Sequence, residues 1–291
     1  MSTIVCVDLG GTKAQVARVD EQGVYDARRY SVPVSATKTQ VDEFIRGIIA
    51  QQLSAGCCGI AIGVPGMVDL RSGTVLETVN IPAWQDVPLA EQLNGYFSLP
   101  VVVNNDVNCF TMGEYCYGQH YLPGAPHYEP VPNLLGVCLG TGLGAGLIFE
   151  GRLYSGRHCA AGEFGSFPYR DGILERYTSG QFFLDRGTNG AEQAALALRG
   201  DSYAQSLFDE FGCHLGYALA QTLLAFDPDK IVLGGSVSKS YDLFERSMWK
   251  SLAGQTHPAL FKRLEIEVGK LEYAALRGAY QLFRQQFSEG I

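Results

Sequence analysis

Asp106 stands in the run Val103-Asn104-Asn105-Asp106-Val107-Asn108, where a β-branched stretch gives way to side chains that donate, accept or take protons. Open α/β sheets do their chemistry at the carboxyl ends of strands, and this carboxylate sits at such an end. It can accept the proton of an attacking hydroxyl, while Asn105 and Asn80 donate to and accept from other hydroxyls of a polyol. An Asn-Asp turn or a helix cap would use the same residues. A second constellation is Asp8-Leu9-Gly10-Gly11-Thr12-Lys13. Glycines let several backbone N–H groups converge on a phosphate, the threonine adds a hydroxyl and the lysine a cation. Asp8 suits the magnesium of a nucleotide, directly or through water, because that ion prefers carboxylates and retained waters. A plain hairpin turn also fits this segment.

The turn Gly140-Thr141-Gly142-Leu143-Gly144-Ala145 follows another apolar strand and matches G-x-G-x-x-A. A dinucleotide site needs a helix opening at the second glycine. Here Ala145-Gly146-Leu147-Ile148-Phe149 runs on as a strand into Glu150-Gly151, so the dinucleotide reading fails on its helix. Glu163 in Gly162-Glu163-Phe164-Gly165 and Glu175 in Leu174-Glu175-Arg176 are acceptors of the kind that hold sugar hydroxyls, or else surface and capping residues. Trp84 suits a core or loop better than a sugar-stacking role.

The elements that must position these groups alternate between strand and helix. Ile4–Leu9 and Ala14–Val19 form a strand, turn, strand unit, and Val41, Phe44, Ile45, Ile48 and Ile49 recur at helical spacing. Strands follow at 59–64 and 101–103, with a hairpin at Arg71-Ser72-Gly73 and a helix at Leu89–Phe97. Residues 121–132 hold four prolines and read as an inserted loop. Leu134–Leu139 and Ala145–Phe149 repeat the strand, turn, strand unit about 130 residues on, which suggests two related halves. Helical stretches at 191–198 and 203–226, a strand at Ile231–Leu233 ending in Gly234-Gly235-Ser236, and a helix at Leu271–Phe287 complete the chain.

With 291 residues and 35 glycines, where about 20 would be usual, the chain is a folded protein rich in tight turns. Its net charge of -8 and lack of a basic run exclude a nucleic-acid surface. No apolar stretch reaches the roughly 20 residues of a membrane span, and no secretory signal opens the sequence. Eight cysteines, mostly inside apolar runs and without paired zinc spacing, fit a cytoplasmic protein.

Taken in order, Asp8-Leu9-Gly10-Gly11-Thr12-Lys13, Gly63-Val64-Pro65-Gly66, Asn105-Asp106-Val107-Asn108, Gly140 to Gly146, Gly162-Glu163-Phe164-Gly165 and Leu233-Gly234-Gly235-Ser236 resemble the ROK family of sugar kinases and repressors. The resemblance implies an α/β fold, the two-domain actin-like ATPase (ribonuclease H-like) fold with a cleft between the domains. Residues 1–108 plus about 275–291 would form one domain and 109–274 the other. It further implies an ATP- and Mg2+-dependent kinase acting on a hexose or N-acetylhexosamine, at the C6 hydroxyl. Asp106 would be the general base. Gly10, Gly11, Thr12 and Lys13 with Thr141 and Gly142 would meet the ATP phosphates, Asp8 the metal, and Gly234 and Gly235 the adenosine. Gly66, Asn80, Asn105, Glu163 and Glu175 would hold the sugar, and a homodimer is the common assembly.

The sequence departs from that pattern in one place. Most family members carry a histidine after the Glu-x-Gly segment and then a cysteine-rich zinc loop. Here Ser166 replaces the histidine and residues 167–174 hold no cysteine, so no zinc is expected. The first strand at Ile4 leaves no helix-turn-helix to be expected before it, which disfavours a repressor. The remaining alternative is a catalytically silent, kinase-like sugar sensor.

Overall fold

A computed structural model describes residues 3–33, 35–78, 80–119 and 131–287. Most of the proline-rich segment 121–132 therefore lies outside the described residues. The N-terminal part runs β1 (Thr3–Leu9), β2 (Lys13–Val19), β3 (Val24–Ser31), α1 (Lys38–Ala50) and β4 (Cys57–Val64). A small sheet of β5 (Gly66–Asp69), β6 (Thr74–Thr78) and β7 (Gln85–Val87) follows, then α2 (Leu89–Phe97), β8 (Val101–Asn105) and α3 (Asp106–Tyr117). After residue 130 come β9 (Leu134–Leu139), β10 (Leu143–Phe149), β11 (Arg152–Leu153) and the short hairpin of β12 (Pro168–Tyr169) and β13 (Gly172–Ile173). Helices α4 (Leu174–Thr178), α5 (Gln181–Leu184), α6 (Gly190–Leu198) and α7 (Ser202–Phe226) lead to β14 (Lys230–Gly234), α8 (Tyr241–Gln255), α9 (Pro258–Phe261), β15 (Glu265–Val268) and α10 (Ala274–Phe287).

Two five-stranded sheets carry the fold, in the orders β3-β2-β1-β4-β8 and β11-β10-β9-β14-β15. Each begins with an antiparallel meander of three strands and continues with two strands parallel to the central one. The registers correspond. Asp8 pairs with Gly63 in the first sheet and Cys138 with Gly234 in the second. The paired halves expected from the two glycine hairpins are thus present in strand order and direction.

Local sequence explains why the helices lie where they do. Thr37 and Gln40 form a capping box at the start of α1, whose Val41, Ile45, Ile48 and Ile49 are buried against the first sheet. The 25-residue α7 starts on an Asp201 cap and buries Phe208, Phe211, Leu215 and Leu219 in the second core. A third apolar cluster joins the halves: Cys109 and Met112 of α3 and Leu276, Ala279, Tyr280 and Phe283 of α10 pack with Ile4 and Ala61 on one side and Leu134, Ile148 and Val232 on the other. No helix among the described residues is long and apolar enough to cross a membrane.

Candidate active site

The first polar residues after β8 build one wall of the site. Asn105 caps α3, its Oδ1 accepting the N–H groups of Val107 and Asn108 at 2.9 and 3.1 Å, while its Nδ2 donates to the Gly66 carbonyl at 3.2 Å. The capping alternative for this segment and a chemical role for its carboxylate therefore coexist: Asn105 caps, and Asp106 opens the helix. Behind them Asn104 Oδ1 accepts from the Asn105 N–H and from Asn108 Nδ2, and Asn108 also donates to Ser155. This buried amide network locks the strand end to the loop after β11.

Burial raises the Asp106 carboxyl to about 7, with the charge of Asp8 next in effect and that of Glu163 smaller, against the lowering pull of the backbone N–H groups of Val107 and Asp106 itself. Asp8, at the end of β1, is pushed by burial to about 6, and among the described residues nothing donates a hydrogen bond to its carboxylate. The two form a coupled pair. A carboxyl with a higher pKa in the folded state keeps its proton preferentially there, so its stabilising contribution is complete below about pH 4 and is lost as pH rises through 6 to 7. The ligand-free protein is accordingly expected to melt at a falling temperature between pH 5 and 8. The fall should be shallower in Asp8→Asn, as scanning calorimetry at several pH values would reveal.

Both glycine turns face this wall. In the first, Gly10 N–H donates to the Lys13 carbonyl at 2.9 Å, and Gly11 lies so close to Asn80 that a Cβ would come 2.6 Å from its amide. In the second, Gly140 N–H donates to the Gly142 carbonyl at 3.0 Å, and the Leu143 N–H donates to Glu175 Oε2 at 3.0 Å. Ser179 Oγ and Gly180 N–H tie the end of α4 to the carbonyls of Thr141 and Gly140 at 3.1 and 2.7 Å. Gly162 takes a φ of +104°, with its Cα pressed on the Ala145 carbonyl, so only glycine can bring Glu163 to this place. Glu163 opens to the cleft, yet partial desolvation and then the charge of Glu175 hold its carboxyl above the usual range.

A cavity of about 320 Å³ gathers these groups. Its walls include Gly10, Gly11, Gly66, Asn80, Asn105, Asp106, Thr141, Gly142, Glu163, Glu175 and Gly235. Four expected residues are not in its wall: Asp8 at the end of β1, Thr12 and Lys13, both exposed, and Gly234, packed on the Phe110 ring. Gln181 and Cys138 line the cavity too, without having been expected there. Gln181 follows Ser179-Gly180 at a helix start, and no chemical signature marks it. Cys138 occupies in β9 the place that Asp8 occupies in β1. Trp84 is wholly buried and donates from Nε1 to Asp42 at 2.9 Å, so it belongs to the core. Among the described residues no group of three or more His, Cys, Asp or Glu side chains is placed to hold a metal ion.

Such a site offers backbone and hydroxyl donors for phosphates on two turns, a carboxylate poised near neutrality, and further carboxylates and amides for hydroxyl groups. The sequence pattern of the ROK family matches residues 4–286. A glucokinase of Halalkalibacterium halodurans is 27% identical over 97% of this chain and 95% of its own length. An N-acetyl-D-glucosamine kinase of Escherichia fergusonii is 30% identical over 79% of this chain and 83% of its own. A ROK family glucokinase from Streptomyces griseus, solved in complex with glucose and AMPPNP, superimposes with a TM-score of 0.82 at 28% identity, covering 98% of this chain and all of that one.

Proposed function

The chain belongs to the ROK family and is an ATP-dependent sugar kinase, and we propose that it phosphorylates the C6 hydroxyl of a hexose or N-acetylhexosamine with Asp106 as the general base. The observation that carries this reading is the convergence of Asp106, both glycine turns, Glu163 and Glu175 on one cavity. Phosphoryl transfer asks the protein for position and charge rather than for covalent chemistry. Asp106 takes the proton of the acceptor hydroxyl as its oxygen attacks the γ-phosphorus and the bond from that phosphorus to the β–γ bridging oxygen breaks, releasing ADP. With the Gly10 N–H held by the Lys13 carbonyl, the N–H groups of Gly11, Thr12, Thr141 and Gly142 stabilise the charge on the transferring phosphoryl oxygens. Thr12 and Lys13, exposed beside the first turn, add a hydroxyl and a cation on the solvent side, and Gly234-Gly235 border the adenosine.

Asp8 fits a magnesium ion. Its carboxylate is desolvated, accepts no hydrogen bond from the described residues and faces a second carboxylate, which is an arrangement a cation relieves. Bound there directly or through water, the ion would offset the negative charge of the phosphates. Gly66, Asn80, Asn105, Glu163 and Glu175 orient the sugar by accepting from and donating to its hydroxyls. Residues 1–108 with about 275–291 would close on 109–274 and keep water from the γ-phosphate. The eight unpaired cysteines suit a reducing cytoplasm.

ADP release with MgATP against a panel of hexoses and N-acetylhexosamines tests the proposal. Sugar-dependent turnover on one member, abolished by EDTA, is the expected result. Sugar binding without turnover on any member would establish a sensor instead.

A further inference from the structure

Glu175 rides on α4, a helix of five residues, too short to hold its own place. What surrounds it is a box of rings. Tyr169, from the β12–β13 hairpin just before α4, meets Tyr177 of α4 edge to face with centroids 5.2 Å apart. Both rings pack on His214 of α7, at 5.7 and 5.0 Å, and Tyr217 lies against Tyr169 at 4.7 Å. The Arg170 guanidinium covers both tyrosines at 5.7 and 5.6 Å.

His214 is 1% exposed and uses both ring nitrogens, with Nδ1 3.0 Å from the Tyr169 hydroxyl and Nε2 3.4 Å from Glu210 Oε1. Burial, and secondly the charge of Arg170, lowers its pKa, so the ring is neutral near pH 7. A carboxylate only accepts, so Nε2 carries the proton and Nδ1 must accept from Tyr169. The other end of the assembly is fastened to the second glycine turn by Glu175 on the Leu143 N–H and by Ser179 on the Thr141 carbonyl.

We propose that the Tyr169–His214 hydrogen bond is a positioning pair for sugar recognition, holding α4 on α7 so that Glu175 stands in the cavity wall. The inference rests on Glu175 being a sugar ligand. Tyr169→Phe removes one oxygen, keeps the ring, and leaves a buried acceptor without its donor. The expected result is a rise of about 10-fold in KM for the sugar with kcat unchanged, any rise in the KM for ATP being smaller. In a Glu175→Gln background the same substitution should add no further rise, because the two act through one contact. Equal rises in both backgrounds, or a loss of kcat at unchanged sugar KM, would overturn the proposal. Should Glu175→Gln by itself leave the sugar KM untouched, the sugar assignment fails separately, and amide exchange decides the pair. Faster exchange over residues 172–178 in Tyr169→Phe then supports it, and unaltered exchange overturns it.

Discussion

Asp106→Asn is expected to fold, to bind ATP and sugar, and to turn over about a thousandfold or more slowly than the native enzyme. An amide preserves the oxygen that accepts the Val107 N–H at 2.9 Å, so the start of α3 need not move. What it cannot do is take a proton. The native carboxyl, raised to about 7 by burial and by Asp8, is a base matched to neutral pH, and kcat/KM should climb between about pH 6 and 8 to a plateau. The residual rate of the variant should lose that climb. Because the substitution removes one charge of a buried like-charged pair, its melting temperature at pH 8 should equal or exceed that of the native protein. Retention of most of kcat, with an unchanged pH profile, would remove Asp106 from the mechanism.

Gly278→Ala is the second large effect, and it acts on the frame. Helices α3 and α10 cross backbone to backbone at Gly113 and Gly278. A Cβ on Gly278 would overlap the Cys109 carbonyl oxygen and lie 2.6 Å from the Gly113 nitrogen, and one on Gly113 would overlap the Ala274 carbonyl oxygen. Every opposing atom is main chain, so no side chain can swing aside. A cost of about 3 kcal/mol or more is expected, enough to lower the thermal midpoint by several degrees or to prevent folding. Since Asp106 is the first residue of α3, any variant that folds should also lose activity. Gly47→Ala in α1, where a Cβ meets nothing within 4 Å, is the control, expected to be neutral or to stabilise by up to about 1 kcal/mol. Chemical denaturation of the two variants side by side measures the difference.

The strands nearest the site were legible because apolar, β-branched runs end there in glycine turns or, for β8, in Asn104-Asn105-Asp106: β1, β4, β8, β9, β10 and β14 lie where their residues suggest. So was the gathering of Asp106 with the glycine turns, since strand ends of an α/β sheet share one edge. Helix α3 was less so. It is packed between the β9–β10 hairpin and α10, with Cys109, Thr111, Met112, Gly113 and Glu114 all buried, and a helix enclosed on several sides shows no alternation of apolar and polar faces. The strands β7 and β15, three and four residues long and partly exposed, carry too few residues for a pattern. The box around His214 draws on a hairpin and two helices, and each aromatic alone resembles a core residue. The assignment of Glu163 and Glu175 to a sugar came with the family resemblance, because an isolated glutamate has no signature.

The registers of the two sheets contain a further lesson. Asp8 beside Gly63 and Cys138 beside Gly234 occupy matching positions, each two residues before a glycine turn. The chain therefore builds the same strand arrangement twice and arms only one of the two strand ends with a carboxylate. Burial, with the nearby charges of Asp106 and Asp8, drives the Cys138 thiol well above its ordinary pKa and keeps it neutral. Had both strand ends carried acids, a fourth carboxylate would join Asp106, Glu163 and Glu175 in the cavity wall, and their mutual repulsion would leave fewer of them ionised near neutral pH. At these two strand ends the register is the same and the side chain differs: one position in a duplicated frame decides which end carries the acid.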